Sequence, residues 1–173
     1  AGRLVSESTP TGLVTAFSWD DAGRMVARTD PGGAKSELRY DAAGNLVAEI
    51  KPGGAAWEYE YEVGAGGLPV RERNPLGDER GFTYDDAGRL TATVEWDGRI
   101  RRFNYDDAGA LSEERLAGEL VAAYSYDRRG LLLRAENAVS AVEVERDGRG
   151  LPVVVTDHDA GVIQRFSYDA AGR

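Results

Sequence analysis

Asp157-His158-Asp159 places the only histidine of the 173-residue chain between two carboxylates, the residue types from which a Ser-His-Asp relay is built. No nucleophile elbow accompanies it, and it falls where a turn is expected, so His158 reads as an exposed turn residue. The pairs Asp20-Asp21, Asp85-Asp86 and Asp106-Asp107 are of the type that does acid–base work or holds calcium. They recur at one point of a repeating pattern, however, and neither the EF-hand loop nor the calcium-binding nonapeptide occurs, so they read as turn chemistry. Glu58, Glu60 and Glu62 project from one face of a strand, and Arg71 and Arg73 across the next turn answer them as cross-strand charge pairs; an acidic cavity lining is the sharper alternative. Arg99, Arg101 and Arg102 form the densest basic run, in surroundings too acidic for a phosphate site. The aromatic series Trp19, Tyr40, Tyr61, Tyr84, Tyr105, Tyr126 and Tyr168 has the chemistry for stacking on sugars, but its register favours rings stacked along a sheet as its core. With no cysteine there is no thiolate zinc site, disulfide or cysteine nucleophile. The reading assigns no catalytic, cofactor-binding or metal-ligating residue, and no cofactor.

The elements that carry these residues follow from a repeat. Gly2, Gly23, Gly44, Gly67, Gly88, Gly109, Gly130, Gly150 and Gly172 recur every 20–23 residues. Four places before most of them stands an aromatic followed by Asp: Trp19-Asp20, Tyr40-Asp41, Tyr84-Asp85, Tyr105-Asp106, Tyr126-Asp127 and Tyr168-Asp169. Two residues earlier comes another apolar residue, Phe17, Leu38, Phe82, Phe103, Tyr124 or Phe166. The unit is apolar-x-Tyr-Asp-x-x-Gly-Arg-Leu, and its motif residues are Trp19, Asp20, Gly23, Tyr40, Asp41, Gly44, Tyr84, Asp85, Gly88, Tyr105, Asp106, Gly109, Tyr126, Asp127, Gly130, Tyr168, Asp169 and Gly172. In each, Asp opens a turn by accepting backbone N–H bonds, and Gly supplies the positive φ that closes it. Two stretches, 61–69 and 144–152, read as having lost the Asp and gained Leu-Pro, and so as bulged or lengthened turns.

Between these turns the residues alternate. Trp57, Tyr59 and Tyr61 stand against Glu58, Glu60 and Glu62, and Leu90, Ala92 and Val94 against Thr91, Thr93 and Glu95, so each strand has an apolar and a polar face. A second, looser turn set lies at Pro31-Gly32-Gly33, Pro52-Gly53-Gly54, Pro75-Leu76-Gly77, Asp97-Gly98 and Ala117-Gly118, with Asp97-Gly98 the strongest two-residue hairpin signal. Helical spacing is absent at length. The expected fold is all-β: about eight antiparallel hairpin repeats of roughly 21 residues in a curved or spiralling sheet, residues 1–173 forming one segment with no separate second domain.

A net charge of −9, spread evenly along the chain, argues against nucleic acid, and no apolar run approaches the roughly 18 residues of a membrane-spanning helix. Nineteen of the 21 basic residues are Arg, a habit of GC-rich bacterial genomes.

The repeated apolar-x-Tyr-Asp-x-x-Gly-Arg-Leu resembles the Rhs/YD-repeat family across essentially the whole chain. The family holds bacterial Rhs polymorphic toxins, the C components of insecticidal Tc toxins, wall-associated proteins and animal teneurins. The resemblance implies a long β-sheet wound into a hollow shell which, in the toxins, encloses a C-terminal toxic domain. It implies a secreted or cell-surface bacterial protein with a non-enzymatic structural role. The implied partners are the rest of its own shell, an enclosed C-terminal toxin domain, and secretion-system or cell-surface components. An adhesion or carbohydrate-binding module is the alternative. Asp30-Pro31-Gly32-Gly33 matches the family's autoproteolytic core motif only superficially, inside a repeat turn, so no protease residue is carried over. The chain begins and ends at the same phase of the repeat, Ala1-Gly2-Arg3 and Ala171-Gly172-Arg173, which reads as a segment of a larger wall.

Overall fold

A computed structural model describes residues 2–62 and 66–172. Ala1, Arg173 and the Val63-Gly64-Ala65 part of the stretch 61–69 lie outside the described residues. Among the described residues every regular element is a β-strand, as the aromatic and β-branched alternation requires.

Two compact units divide the chain, Ala1–Arg89 and Leu90–Arg173. The first holds β1 (Ser6–Ser8), β2 (Val14–Trp19), β3 (Met25–Thr29), β4 (Lys35–Tyr40), β5 (Leu46–Ile50), β6 (Ala56–Tyr61), β7 (Pro69–Arg73) and β8 (Glu79–Tyr84). The second holds β9 (Leu90–Val94), β10 (Ile100–Tyr105), β11 (Leu111–Leu116), β12 (Glu119–Tyr126), β13 (Leu132–Glu136), β14 (Ala141–Arg146), β15 (Pro152–Asp157) and β16 (Val162–Arg165). Within each unit every strand pairs antiparallel with the next in sequence. No second layer covers either unit: among the described residues only Thr15, Ala27, Ala48 and Thr93 are buried, and most large apolar side chains are half-buried against neighbours on the same sheet face.

The Tyr-Asp turns share one geometry. At Asp20, the Gly23 N–H donates to the Asp20 carbonyl at 3.0 Å and the Asp20 N–H to the Arg24 carbonyl at 2.9 Å, with Gly23 at φ 87°. This is a type I turn closed by a glycine in the left-handed region. The same pairs of bonds recur at Asp41, Asp85, Asp106, Asp127 and Asp147.

Asp147 corrects the reading of 144–152: its turn is complete, with the Gly150 N–H on its carbonyl and the Leu151 N–H on its Oδ1, both at 2.9 Å. What that repeat lacks is the tyrosine, whose place Arg146 takes.

Asp97-Gly98 is likewise not a two-residue hairpin. Gly98 donates to the Glu95 carbonyl and Glu95 to the Arg99 carbonyl, so the loop is the same four-residue turn. The two-residue turn is Ala117-Gly118, between the paired Leu116 and Glu119, with both central residues at positive φ (51° and 90°).

Six hairpins carry a β-bulge beside the motif aromatic. Ser18 pairs with Ala27 but Trp19 with Met25, leaving Val26 as the extra residue, and the slip repeats at Tyr40, Tyr61, Tyr105, Tyr126 and Arg146. Pro69 and Pro152 occupy bulge positions, where a residue without an N–H is tolerated. The expected bulges at 61–69 and 144–152 are therefore present but shared by the other repeats.

The alternation expected at Leu90, Ala92 and Val94 is inverted. Thr93 opposes Arg101 and is 1% exposed, whereas Val94 opposes Ile100 and is 44% exposed. Trp57, Tyr59 and Tyr61 do alternate as expected with exposed Glu58, Glu60 and Glu62.

The two kinds of turn residue lead to substitutions of opposite sign. Gly88, at φ 77°, is replaced by a β-branched side chain only with a loss of about 1–2 kcal/mol or more, so Gly88→Val lowers the melting temperature. Ala117→Gly relieves a strained non-glycine and raises stability by about 1 kcal/mol; thermal denaturation of both variants checks the pair.

Candidate functional site

The motif tyrosines reach across the bulges. A bulge leaves the carbonyl at its first residue outside the regular ladder, and an unpaired carbonyl shielded from water is costly. On β3 the pairing with β4 ends at Ala27–Glu37, and the Tyr40 hydroxyl donates to the Met25 carbonyl beyond it at 3.0 Å. The pattern repeats in both units: Tyr61 to Leu46 (3.0 Å), Tyr84 to Pro69 (2.9 Å), Tyr105 to Leu90 (2.7 Å), Tyr126 to Leu111 (2.9 Å) and Tyr168 to Pro152 (2.8 Å). The Trp19 indole N–H makes the same bond to Leu4 at 2.8 Å, and Arg146 makes it to Leu132 through Nε (3.1 Å) and Nη2 (3.0 Å), with Nη1 on the Gly150 carbonyl (3.0 Å). Position, not aromaticity, selects the donor.

The Asp carboxylates are engaged locally. Asp20, Asp85 and Asp127 accept the backbone N–H of Arg24, Arg89 and Leu131 respectively, and these bonds, foremost among the causes, hold their carboxyls below the usual range. The Asn45 side chain does so first for Asp41, and the Arg99 N–H for Asp97. At Asp147 partial burial pulls upward but is outweighed by N–H bonds from Leu151 and Arg149 and by the Arg149 guanidinium. Burial raises the Tyr61, Tyr84 and Tyr126 hydroxyls, which keeps them as donors.

A further contact went unrecognised in the sequence. In six of the repeats the residue after the motif glycine leans on the glycine of the next repeat, whereas Ala110 is too short to reach Gly130. A Cβ on Gly23 would sit 2.2 Å from Arg3 Nη2 and one on Gly150 2.7 Å from Leu131 Cδ1, while Gly44, Gly67, Gly88 and Gly172 carry Arg24, Asn45, Leu68 and Leu151 at 3.5–3.6 Å. Guanidinium groups extend the contact to the next turn: Arg24 Nη1 reaches the Asp41 carbonyl at 3.4 Å. Where Leu follows the glycine, the preceding Arg does so instead, Arg129 to Gly148 and Arg149 to Asp169, both at 3.1 Å. The Gly-Arg of the motif could have signalled it, had the arginine been asked for a partner one repeat away.

The remaining candidates also occupy structural positions. Arg71 and Arg73 oppose Glu60 and Glu58 at 3.1 and 3.5 Å, as the spacing anticipates, and Glu79 adds a 2.6 Å pair to Arg73. Arg99 pairs with Asp97, and Arg101 with Glu95 and Glu114; Thr93 Oγ1 adds a 2.8 Å bond to Glu95. His158 is half-exposed in the β15–β16 turn with Nε2 3.2 Å from Glu143, which also meets Arg134. The Asp30-Pro31-Gly32-Gly33 segment is the β3–β4 turn, with Asp30 Oδ1 accepting from Gly32 and Ala34 at 2.9 Å. Among the described residues no group of three His, Asp or Glu side chains is placed to hold a metal.

Residues 1–35 and 65–100 match the RHS Repeat family. No curated protein matches the chain. Among solved structures, the Photorhabdus luminescens Tc holotoxin pore superposes on 93% of the chain with a TM-score of 0.72 at 16% identity, over 10% of its own chain. The crystal structure of TcdB2-TccC3 matches over 98% of this chain and 12% of its own, with a TM-score of 0.53 at 16% identity. The chain thus spans about a tenth of the length of the structures it matches.

Arg146→Ala abandons the Leu132 carbonyl and lowers stability by about 1–3 kcal/mol, while Arg146→Tyr restores most of it; urea denaturation of the two variants distinguishes donor loss from side-chain change. The titrations give a second expectation. Carboxyls held low stabilise the fold above about pH 4 and release it as pH falls through their folded values; hydroxyls held high stabilise it below about pH 10 and release it above. The melting temperature should fall at both extremes, and Asn at Asp20, Asp85 and Asp127 should flatten the acid limb alone.

Proposed function

We propose that this chain, an Rhs/YD-repeat protein by its matched segments and its shared fold, is a non-enzymatic wall segment of a secreted bacterial toxin shell that encloses a C-terminal toxic effector. The observation that carries the reading is the correspondence of 93% of the chain to one tenth of a Tc toxin chain: the segment has the fold of a stretch of toxin wall. Its chemistry supports the same role. The motif hydroxyls and carboxylates are engaged with neighbouring backbone, and the carbonyls freed by the bulges beside the motif residues take a side-chain donor from the next repeat. A continuous hydrogen-bonded wall isolates a cargo by steric exclusion, with no reaction required of it. Its partners would be the rest of the shell and the enclosed domain.

The parent polypeptide tests this. In the container reading, intact mass reveals a C-terminal piece cut from the repeats that co-purifies with them and resists added protease until the shell is denatured. A single uncut chain, without a protected C-terminal piece and binding glycans through Tyr-dependent contacts, overturns it in favour of an adhesion module.

A further inference from the structure

One rung of the second unit breaks the charge pattern of the others. Arg102 on β10 lies directly opposite Arg115 on β11. Elsewhere on the described strands directly opposed charges are of opposite sign, as at Glu58–Arg73, Glu60–Arg71 and Arg134–Glu143. Like charges in this position destabilise a sheet. Arg115 is neutralised by Glu113 (Nε to Oε1, 2.8 Å) and also donates to the Gly118 carbonyl, but Arg102 is exposed and has no ion-pair or hydrogen-bond partner among the described residues. The adjoining rung on the same face is the Val94–Ile100 pair, whose side chains are 44% and 39% exposed, so an unanswered cation and an uncovered apolar pair stand side by side.

We propose that this face of β9–β11 is a docking surface for an extended acidic peptide segment that lays an apolar side chain on Val94 and Ile100 and a carboxylate two residues away on Arg102. The spacing fits: Ile100 and Arg102 are two residues apart on one strand face, about 7 Å, as are residues i and i+2 of an extended partner. Charge sets the partner's sign. A carboxylate on Arg102 supplies the counter-charge that this guanidinium lacks, since the nearby Glu113 is already engaged by Arg115. This site is independent of whether the wall encloses a cargo.

The test uses the parent polypeptide and a fluorescein-labelled Val-Ser-Glu-Ser-Val peptide, followed by anisotropy, with Val-Ser-Lys-Ser-Val as control. Saturable binding of the Glu peptide, weakening as salt is raised and falling at least about tenfold in Arg102→Glu, is the expected result. Because Arg102→Glu places an acid opposite Arg115, its melting temperature should equal or exceed that of the unsubstituted protein, so the loss of binding is not a loss of fold. Ile100→Thr, a β-branched replacement, should weaken binding without abolishing it. Absence of saturable binding, equal binding of the Lys peptide, undiminished binding by Arg102→Glu, or a lowered melting temperature in that variant each overturns the assignment.

Discussion

The hydrogen bond from a motif side chain to the carbonyl freed by its neighbour's bulge is the constraint on which the rest of the structure depends. The bulge beside the motif residue in six hairpins increases local twist and frees a carbonyl at its first residue, Met25 and Leu46 in one unit, Leu111 and Leu132 in the other. Without a donor at that place, each pitch of the sheet would carry an unpaired acceptor against half-buried rings. Tyr answers the requirement because its hydroxyl reaches the neighbouring strand, to the bulge. The Asp that follows starts the turn at once, so the reaching side chain and the turn that bounds it are adjacent in sequence. Tyr-Asp is one device with two bonds.

A sheet with no second layer cannot bury large side chains completely and must gain its stability along its own face. The few buried residues are correspondingly small, Ala27, Ala48, Thr15 and Thr93, and the motif rings remain only partly covered. The contact of Gly+1 side chains such as Arg24, Leu68 and Leu151 with the following glycine has the same origin. A turn standing clear of the sheet has nothing beneath it, so Arg24 on Gly44 and Leu151 on Gly172 make each turn the support of the next. Glycine is doubly required where that approach is closest: at Gly23 and Gly150 a Cβ would meet both a strained φ and a side chain within van der Waals radius.

The periodic turns, the strands and the role of the glycines were legible in the sequence because they rest on local chemistry: Asp accepting N–H bonds at the start of a turn and Gly at positive φ. The cross-strand pairs Glu58–Arg73 and Glu60–Arg71 were legible for the same reason, being fixed by one hairpin register. What the sequence does not show depends on pairing rather than residue type. Thr93 is buried and Val94 exposed although the apolar alternation predicts the reverse, because which face is covered is decided by the neighbouring strands. The Asp147 turn lacks its aromatic signal because Arg146 stands in that place, and the Asp97-Gly98 dipeptide is shared by two turn classes that differ only in which flanking residues pair.

Arg146 shows which part of the motif is chemically indispensable. A phenol, an indole and a guanidinium all serve at that place, at Tyr126, Trp19 and Arg146, and the three differ in shape and the last in charge. They share a donor held at one reach from the strand. The carbonyl they meet belongs to Leu, Met or Pro, residues alike only in being apolar at a bulge. Substitution is therefore tolerated freely at the side chains of this bond and not in its geometry, because the acceptor is backbone and the donor need only arrive. A repeat built on such a bond can diverge widely in sequence while keeping its pitch, consistent with a fold shared at 16% identity with the toxin structures.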